Sequence, residues 1–121
     1  MNFRSTYTFE KRCREAKTVL TQYPDRIPVV VEIANSDKVL PSLDKAKYLV
    51  PQDFTVGGFM HVIRQRMKMK LEPATAMFLF ANEKVLPPTT QLMISCYEMN
   101  RHRDGFLYFT LHSENTFGFS F

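Results

Sequence analysis

Residues Asp53 to Met69, DFTVGGFMHVIRQRMKM, constrain this chain more than any other stretch. Val56, Phe59, Ile63 and Met67 recur at spacings of three and four, which puts one apolar face on a helix. His61, Arg64, Gln65, Arg66 and Lys68 fall largely on the other side. Thr55 is placed to cap it, because its hydroxyl can accept from an otherwise unpaired first-turn amide. Phe54 and Phe59 stand at the N′ and N4 positions of a hydrophobic staple. Gly57 and Gly58 weaken the first turn, so tertiary packing has to hold it. The stretch reads as the one long amphipathic helix that a small sheet could wrap.

The 121 residues, 45% of them hydrophobic, fit one domain with one core. No apolar run reaches the length of a membrane-spanning helix. The first residues, MNFRSTYTFEKRCRE, lack the apolar core of a signal peptide, so a cytoplasmic start is expected. Cys13 and Cys96 are too few for a disulfide framework or a zinc site and read as half-buried thiols. His61, His102 and His112 show no ligand spacing, so neither a metal nor a catalytic residue is expected. The net charge of +4 favours acidic partners or anionic membranes. It gathers at Arg4, Lys11, Arg12, Arg14 and Lys17, and again at Arg64, Arg66, Lys68 and Lys70, where a solvated helix face is the simpler reading.

Residues 8–22 read as a surface helix capped by Thr8, with Phe9, Cys13, Ala16 and Leu20 as a narrow apolar stripe beside Val19 and Tyr23. Pro24 ends it. Ile27 to Ile33 is a β-branched strand, and Pro28 requires a strand start or an edge. Lys47 to Val50 is a second strand stopped by Pro51, and the two fit an irregular hairpin. Met77 to Ala81 reads as a strand buried on both faces, followed by a turn at Asn82 to Lys84 and a brief strand at Val85-Leu86. Thr90 to Tyr97 reads as a short helix with Leu92, Met93, Cys96 and Tyr97 inward. A polar loop from Asn100 to Gly105 leads to the last strand, Phe106 to Leu111, and residues 113–121 read as an extended tail. This order implies an α+β fold, a β-grasp with a mixed sheet, a central helix and an extra N-terminal helical segment. The expected division is an extension over 1–22, a domain over 23–113 and a tail over 114–121.

An ordered set of motifs now carries a resemblance. Phe9-Glu-Lys-Arg12, Tyr23-Pro-Asp-Arg-Ile-Pro-Val29, Leu43-Asp-Lys45, Lys47-Tyr-Leu-Val-Pro51, Thr55-Val-Gly57, Ile63-Arg64, Pro87-Pro-Thr89, Phe106-Leu-Tyr108 and Phe117-Gly118 run almost the length of the chain. Together they resemble the autophagy ubiquitin-like modifiers, the GABARAP and light-chain-3 family. Two stretches, Ala34 to Leu40 and Glu72 to Ala76, look longer than in close GABARAP-type members.

The resemblance implies a non-enzymatic protein. A processing cysteine protease would cut between Gly118 and Phe119 and remove Phe119-Ser120-Phe121. Activating and conjugating enzymes of the autophagy pathway would then join Gly118 to the amine of phosphatidylethanolamine, a covalent lipid and not a bound cofactor. The protein would be cytoplasmic before conjugation and on the autophagosome membrane after it. The resemblance also implies capture of cargo receptors through aromatic-x-x-aliphatic segments, which add a strand to the edge at Lys47 to Val50. Glu15, Val19, Pro28, Val30, Lys47, Leu49 and Phe106 would line the aromatic pocket. Tyr48, Val50, Pro51, Phe54, Phe59 and Val62 would line the aliphatic one, with Arg26 and Lys47 attracting an acidic flank. A diverged adaptor, unconjugated or conjugated to protein, is the alternative. A basic cytoskeleton-binding domain is a weaker one, nucleic acid is not expected, and a monomer is.

Overall fold

The computed structural model describes residues 2–67 and 75–114. Among these residues eight elements follow in chain order: α1 (Phe3–Thr6), α2 (Phe9–Gln22), β1 (Arg26–Ile33), β2 (Lys47–Pro51), α3 (Val56–Gln65), β3 (Met77–Ala81), α4 (Met93–Asn100) and β4 (Leu107–Ser113). The strands form one mixed sheet in the order β2-β1-β4-β3. Only the central pair, β1 with β4, is parallel; β2 and β3 are antiparallel edges. This is the ubiquitin-like fold the chain order implies, with an N-terminal helical segment added.

Strand alternation divides the core in two. Ile27, Val29 and Val31 of β1 and Leu107, Phe109 and Leu111 of β4 bury one face against Val56, Phe59, Ile63 and Met67. The opposite side chains, Val30 and Tyr108, join Phe106, Phe3 and Ala16 in a second cluster beneath α1 and α2. Three layers result, with the sheet in the middle.

The start of α3 shows how the two glycines are tolerated. The amide of Gly58 donates to Thr55 Oγ1 at 3.0 Å, the expected cap. Val56 N donates to Gln91 O and Gly57 N to Thr89 O, each at 2.9 Å. A Cβ on Gly57 would lie 3.2 Å from Thr89 O, so the missing side chain allows this approach. All first-turn amides are therefore paired before the helix begins.

Several expectations need correction. The central helix stops at Gln65, because the Arg66 amide is shared between Val62 O and Ile63 O and the last turn tightens. Met67 stays buried, bridged to Leu43, and residues 68–69 lie outside those described. The short helix runs from Met93 to Asn100, not Thr90 to Tyr97. Met93 N donates to Phe54 O and Ile94 N to Gln52 O, so its first turn is tied to the loop before α3. Leu92 becomes the N-cap and is 43% exposed, not inward. β3 alternates: Met77, Leu79 and Ala81 are buried, Phe78 and Phe80 only half so. Val85 makes a single bridge to Ala81 in place of a brief strand. Cys96 is fully buried while Cys13 is half-buried, and both are free. Phe9 does not floor the stripe of α2, being 38% exposed; Arg12 is buried in that helix instead. No described helix is long and apolar enough to cross a membrane.

Phe59 is wholly buried and packs its ring against Tyr48 and Phe109. Phe59→Ala should lower stability by about 3–5 kcal/mol in urea unfolding, with the slope of the transition unchanged.

Candidate functional site

β2 is an open edge, and its register says which groups it offers. Val31 N donates to Ala46 O. Alternation in an antiparallel ladder then turns Tyr48 and Val50 towards β1, and the backbone N–H and C=O of Lys47 and Leu49 outward. Pro51 closes the edge, since it has no N–H to offer. Pro28 sits opposite Leu49, outside the bonded pairs, and one residue before β4 begins to pair at Val29. Arg26 Nη1 donates to the outward Leu49 O at 3.4 Å, partly covering that acceptor.

The edge is flanked differently on its two sides. Towards α2 there is a depression of about 610 Å³ whose walls include Glu15, Val19 and Lys47 with Tyr7, Lys11 and Arg14. Lys47 Nζ donates to Glu15 Oε1 at 2.5 Å across its mouth. Leu49 is 36% exposed beside it. Val30 and Phe106, also expected here, are buried in the cluster below, and Pro28 is buried in the strand. Towards α3 the accessible residues are Pro51, Phe54 and Val62. Tyr48, Val50 and Phe59, expected beside them, lie in the main core. The structure therefore brings the expected residues to one strand and its two flanks, but half a dozen of them support the surface from beneath.

The wall formed by α2 is fixed by a buried polar network. Asp104 has no exposed side-chain surface, and its Oδ2 accepts from Arg12 Nη1 at 2.6 Å and from the Tyr108 hydroxyl at 2.5 Å. Its Oδ1 accepts from Phe106 N at 2.8 Å. Arg12 Nε donates to Tyr7 O at 3.1 Å. Both charges are thus paired and hydrogen-bonded, which is what burial of an ion pair demands. Burial works against the charged Arg12, but its bonds to Tyr108 and Asp104 outweigh this and raise its pKa. Burial, then the bond to Asp104, pushes the Tyr108 phenol well above its usual range. Gly105 lets α2 come close: its φ is +98°, and a Cβ there would lie 2.9 Å from the Ala16 Cβ.

Residues 11–118 match the family model described as "Autophagy protein Atg8 ubiquitin like". The chain belongs to the Atg8 family. It is 52% identical over 118 residues to autophagy-related protein 8e of Arabidopsis thaliana, covering 98% of this chain and 93% of that protein. It is 50% identical over 116 residues to autophagy-related protein 8 of Mycosarcoma maydis, covering 96% and 95%. The crystal structure of Trypanosoma brucei ATG8 superposes with a TM-score of 0.85 at 34% identity, covering 94% of this chain and 95% of that one. The chain is thus an autophagy ubiquitin-like protein with the fold of an Atg8.

Two features of this Atg8 were missed from sequence. Arg12 reads as part of a solvated helix face and Asp104 as part of a polar loop, since nothing in a charge pattern says that residues 92 apart will meet. Phe3 was not assigned at all. It packs edge-on to Phe106 at 5.2 Å, and its amide donates to Glu32 Oε2 at 2.7 Å. The capping box of Asn2 with Ser5 was the available signal for α1.

Tyr48, Tyr97, Tyr108 and Cys96 all have pKa values raised by burial. The unfolded chain loses these protons first as pH rises, so it binds fewer protons than the folded one and stability must fall. The stabilising effect is full below the unfolded values near 9.0 for Cys96 and 10.0 for the tyrosines, and is lost as pH climbs through the folded ones. The urea midpoint should therefore drop steadily above about pH 9, and less steeply for Tyr108→Phe. The partly exposed Lys47–Glu15 pair should matter little, with Glu15→Ala costing under about 1 kcal/mol.

Proposed function

We propose that this chain is a lipid-conjugated adaptor of autophagy, a substrate of conjugation enzymes and not itself a catalyst. A cysteine protease frees the Gly118 carboxyl by removing Phe119-Ser120-Phe121. ATP activates that carboxyl, and it passes to enzyme cysteines as a thioester. The phosphatidylethanolamine amine attacks the thioester carbonyl, an amide forms and the thiolate leaves. Gly118 and its neighbours lie outside the described residues; support comes from the family match, which runs to residue 118. Two acyl chains anchor stably where one does not, so conjugation moves the protein from cytoplasm to autophagosome membrane.

The observation that carries the second half of the proposal is the edge of β2. It offers the outward groups of Lys47 and Leu49, with a depression towards α2 on one side and Pro51, Phe54 and Val62 on the other. An extended segment pairs with the edge, its aromatic residue enters beside Glu15, Val19 and Leu49, and its aliphatic residue rests by Phe54 and Val62. Lys47 and Arg26 leave their present partners, Glu15 and Leu49 O, for acidic residues of the ligand. Cargo receptors with such motifs are the partners this predicts.

Titration of an acidic aromatic-x-x-aliphatic peptide into the protein should give saturable binding. Leu49→Ala and Phe54→Ala should each weaken it about tenfold or more, or ~1.4 kcal/mol. Because both side chains are partly exposed, their unfolding curves should match the parent. In a reconstituted conjugation system, intact mass should show loss of the last three residues and gain of one lipid, both absent in Gly118→Ala. Unaltered peptide affinity in both groove variants, or lipid gain by Gly118→Ala, would sink the corresponding half of the proposal.

A further inference from the structure

The loop after α4 carries Arg101, His102 and Arg103, and the fold places it beside α2. Lys17 and Arg103 stand on opposite rims of a shallow depression of about 360 Å³, with Ala16, Leu20 and Gly105 also lining it. Arg103 lies over the half-exposed ring of Phe9, its guanidinium carbon 5.3 Å from the ring centre. Arg101 lies over Tyr97 at 5.8 Å. Ion pairs among the described residues engage Arg4, Arg12, Lys47, Arg66 and His102. Lys17, Arg101 and Arg103 form none, and all three are exposed. The one carboxylate at the depression, that of Asp104, is buried and already neutralised by Arg12.

We infer that this face, on the side of α2 away from the β2 groove, is a second docking surface and that it takes an acidic polypeptide segment. Three features select that partner from other anions. The Phe9 ring already carries the guanidinium groups of Arg103 and Arg12, which leaves it a poor platform for a nucleic-acid base. Glu10 is exposed and lies seven residues before Lys17 on α2, which puts the two on one face of that helix. A chain of evenly charged phosphates along α2 has to run past it, whereas a peptide can space its carboxylates around it. The third feature rests on the lipid-attachment reading. β4 runs its 7 residues from this loop towards Ser113, so the tail leaves at the far end of the strand, roughly 20 Å away. On that reading the lipid joins the chain beyond the end of β4 remote from the cations. The basic face and the groove lie on different sides of α2, so one can be filled while the other holds its own ligand.

The test is titration of the isotope-labelled full chain with a poly-glutamate peptide, read by amide chemical shifts. Shifts should move at residues 9–21 and 101–105 and fade as salt rises. The pair Arg101→Glu with Arg103→Glu should weaken binding about tenfold or more, while the charge-matched pair Lys38→Glu with Lys84→Glu should change it far less. Equal losses in both pairs would reduce the effect to net charge and overturn the inference. So would shifts centred on Lys47 and Leu49, or binding to phosphatidylserine vesicles with none to the peptide. Leu49→Ala, which should lose the motif peptide, should bind poly-glutamate as the parent does. That arm keeps the fate of this surface separate from the fate of the groove.

Discussion

A carboxylate with no water around it fixes the N-terminal half of this molecule. Asp104 gathers the phenol of Tyr108 and the amide of Phe106 from just downstream, and the Arg12 guanidinium from the far end of the chain. Desolvating a carboxylate and a guanidinium costs several kcal/mol per ion unless every lone pair and proton finds a partner. Here Asp104 accepts three bonds and Arg12 donates through Nε and Nη1, which ties α2 to one position against the sheet. Apolar packing under α2 is thin, resting on Ala16, Phe3, Val30, Phe106 and Tyr108. Such a small cluster would allow the helix to slide; the buried ion pair does not. Arg12 shares a face of α2 with Glu15 and Val19, at spacings of three and seven, so the wall of the groove inherits its position from a polar contact on its own helix face.

Much of the fold was legible because it rests on local signals. Thr8 and Thr55 cap the helices they were expected to cap, and Met77 to Ala81 is the strand its composition suggests. The placement of β2 on an edge followed from the family resemblance and was met. What escaped the sequence depends on contacts between distant residues. The start of α4 is set by carbonyls of Phe54 and Gln52, which no propensity could place there. Arg12 looks like any charge on a polar helix until Asp104 is brought to it. The division of groove residues into surface and support escaped for a similar reason. Tyr48 and Leu49 are neighbours in sequence, and only the ladder says that one faces the core and the other the ligand side.

An exposed strand edge that can receive a peptide can also receive another copy of itself. Natural sheets blunt such edges with short strands, charges and proline. β2 carries all three: it has 5 residues, begins with Lys47 and ends with Pro51. Arg26 adds a movable cover over Leu49 O. The edge is thus open enough to be read by a ligand that brings its own carboxylates, and closed to an uncharged strand that does not. Selection and protection are served by the same side chains.

The parallel pairing of β1 with β4 has a consequence for how the molecule comes into being. The last of the described strands, β4, is not an edge but the inner partner of β1, joined from Val29↔Leu107 to Ile33↔Leu111. Contacts of such long sequence separation form late, because the loop between them must close first. During synthesis the sheet therefore cannot be completed until β4 has left the ribosome. The residues that follow β4 are the very tail on which conjugation would act. A chain that stops short of β4 cannot complete the sheet, so a tail carried on an assembled domain reports that every strand before it has been made.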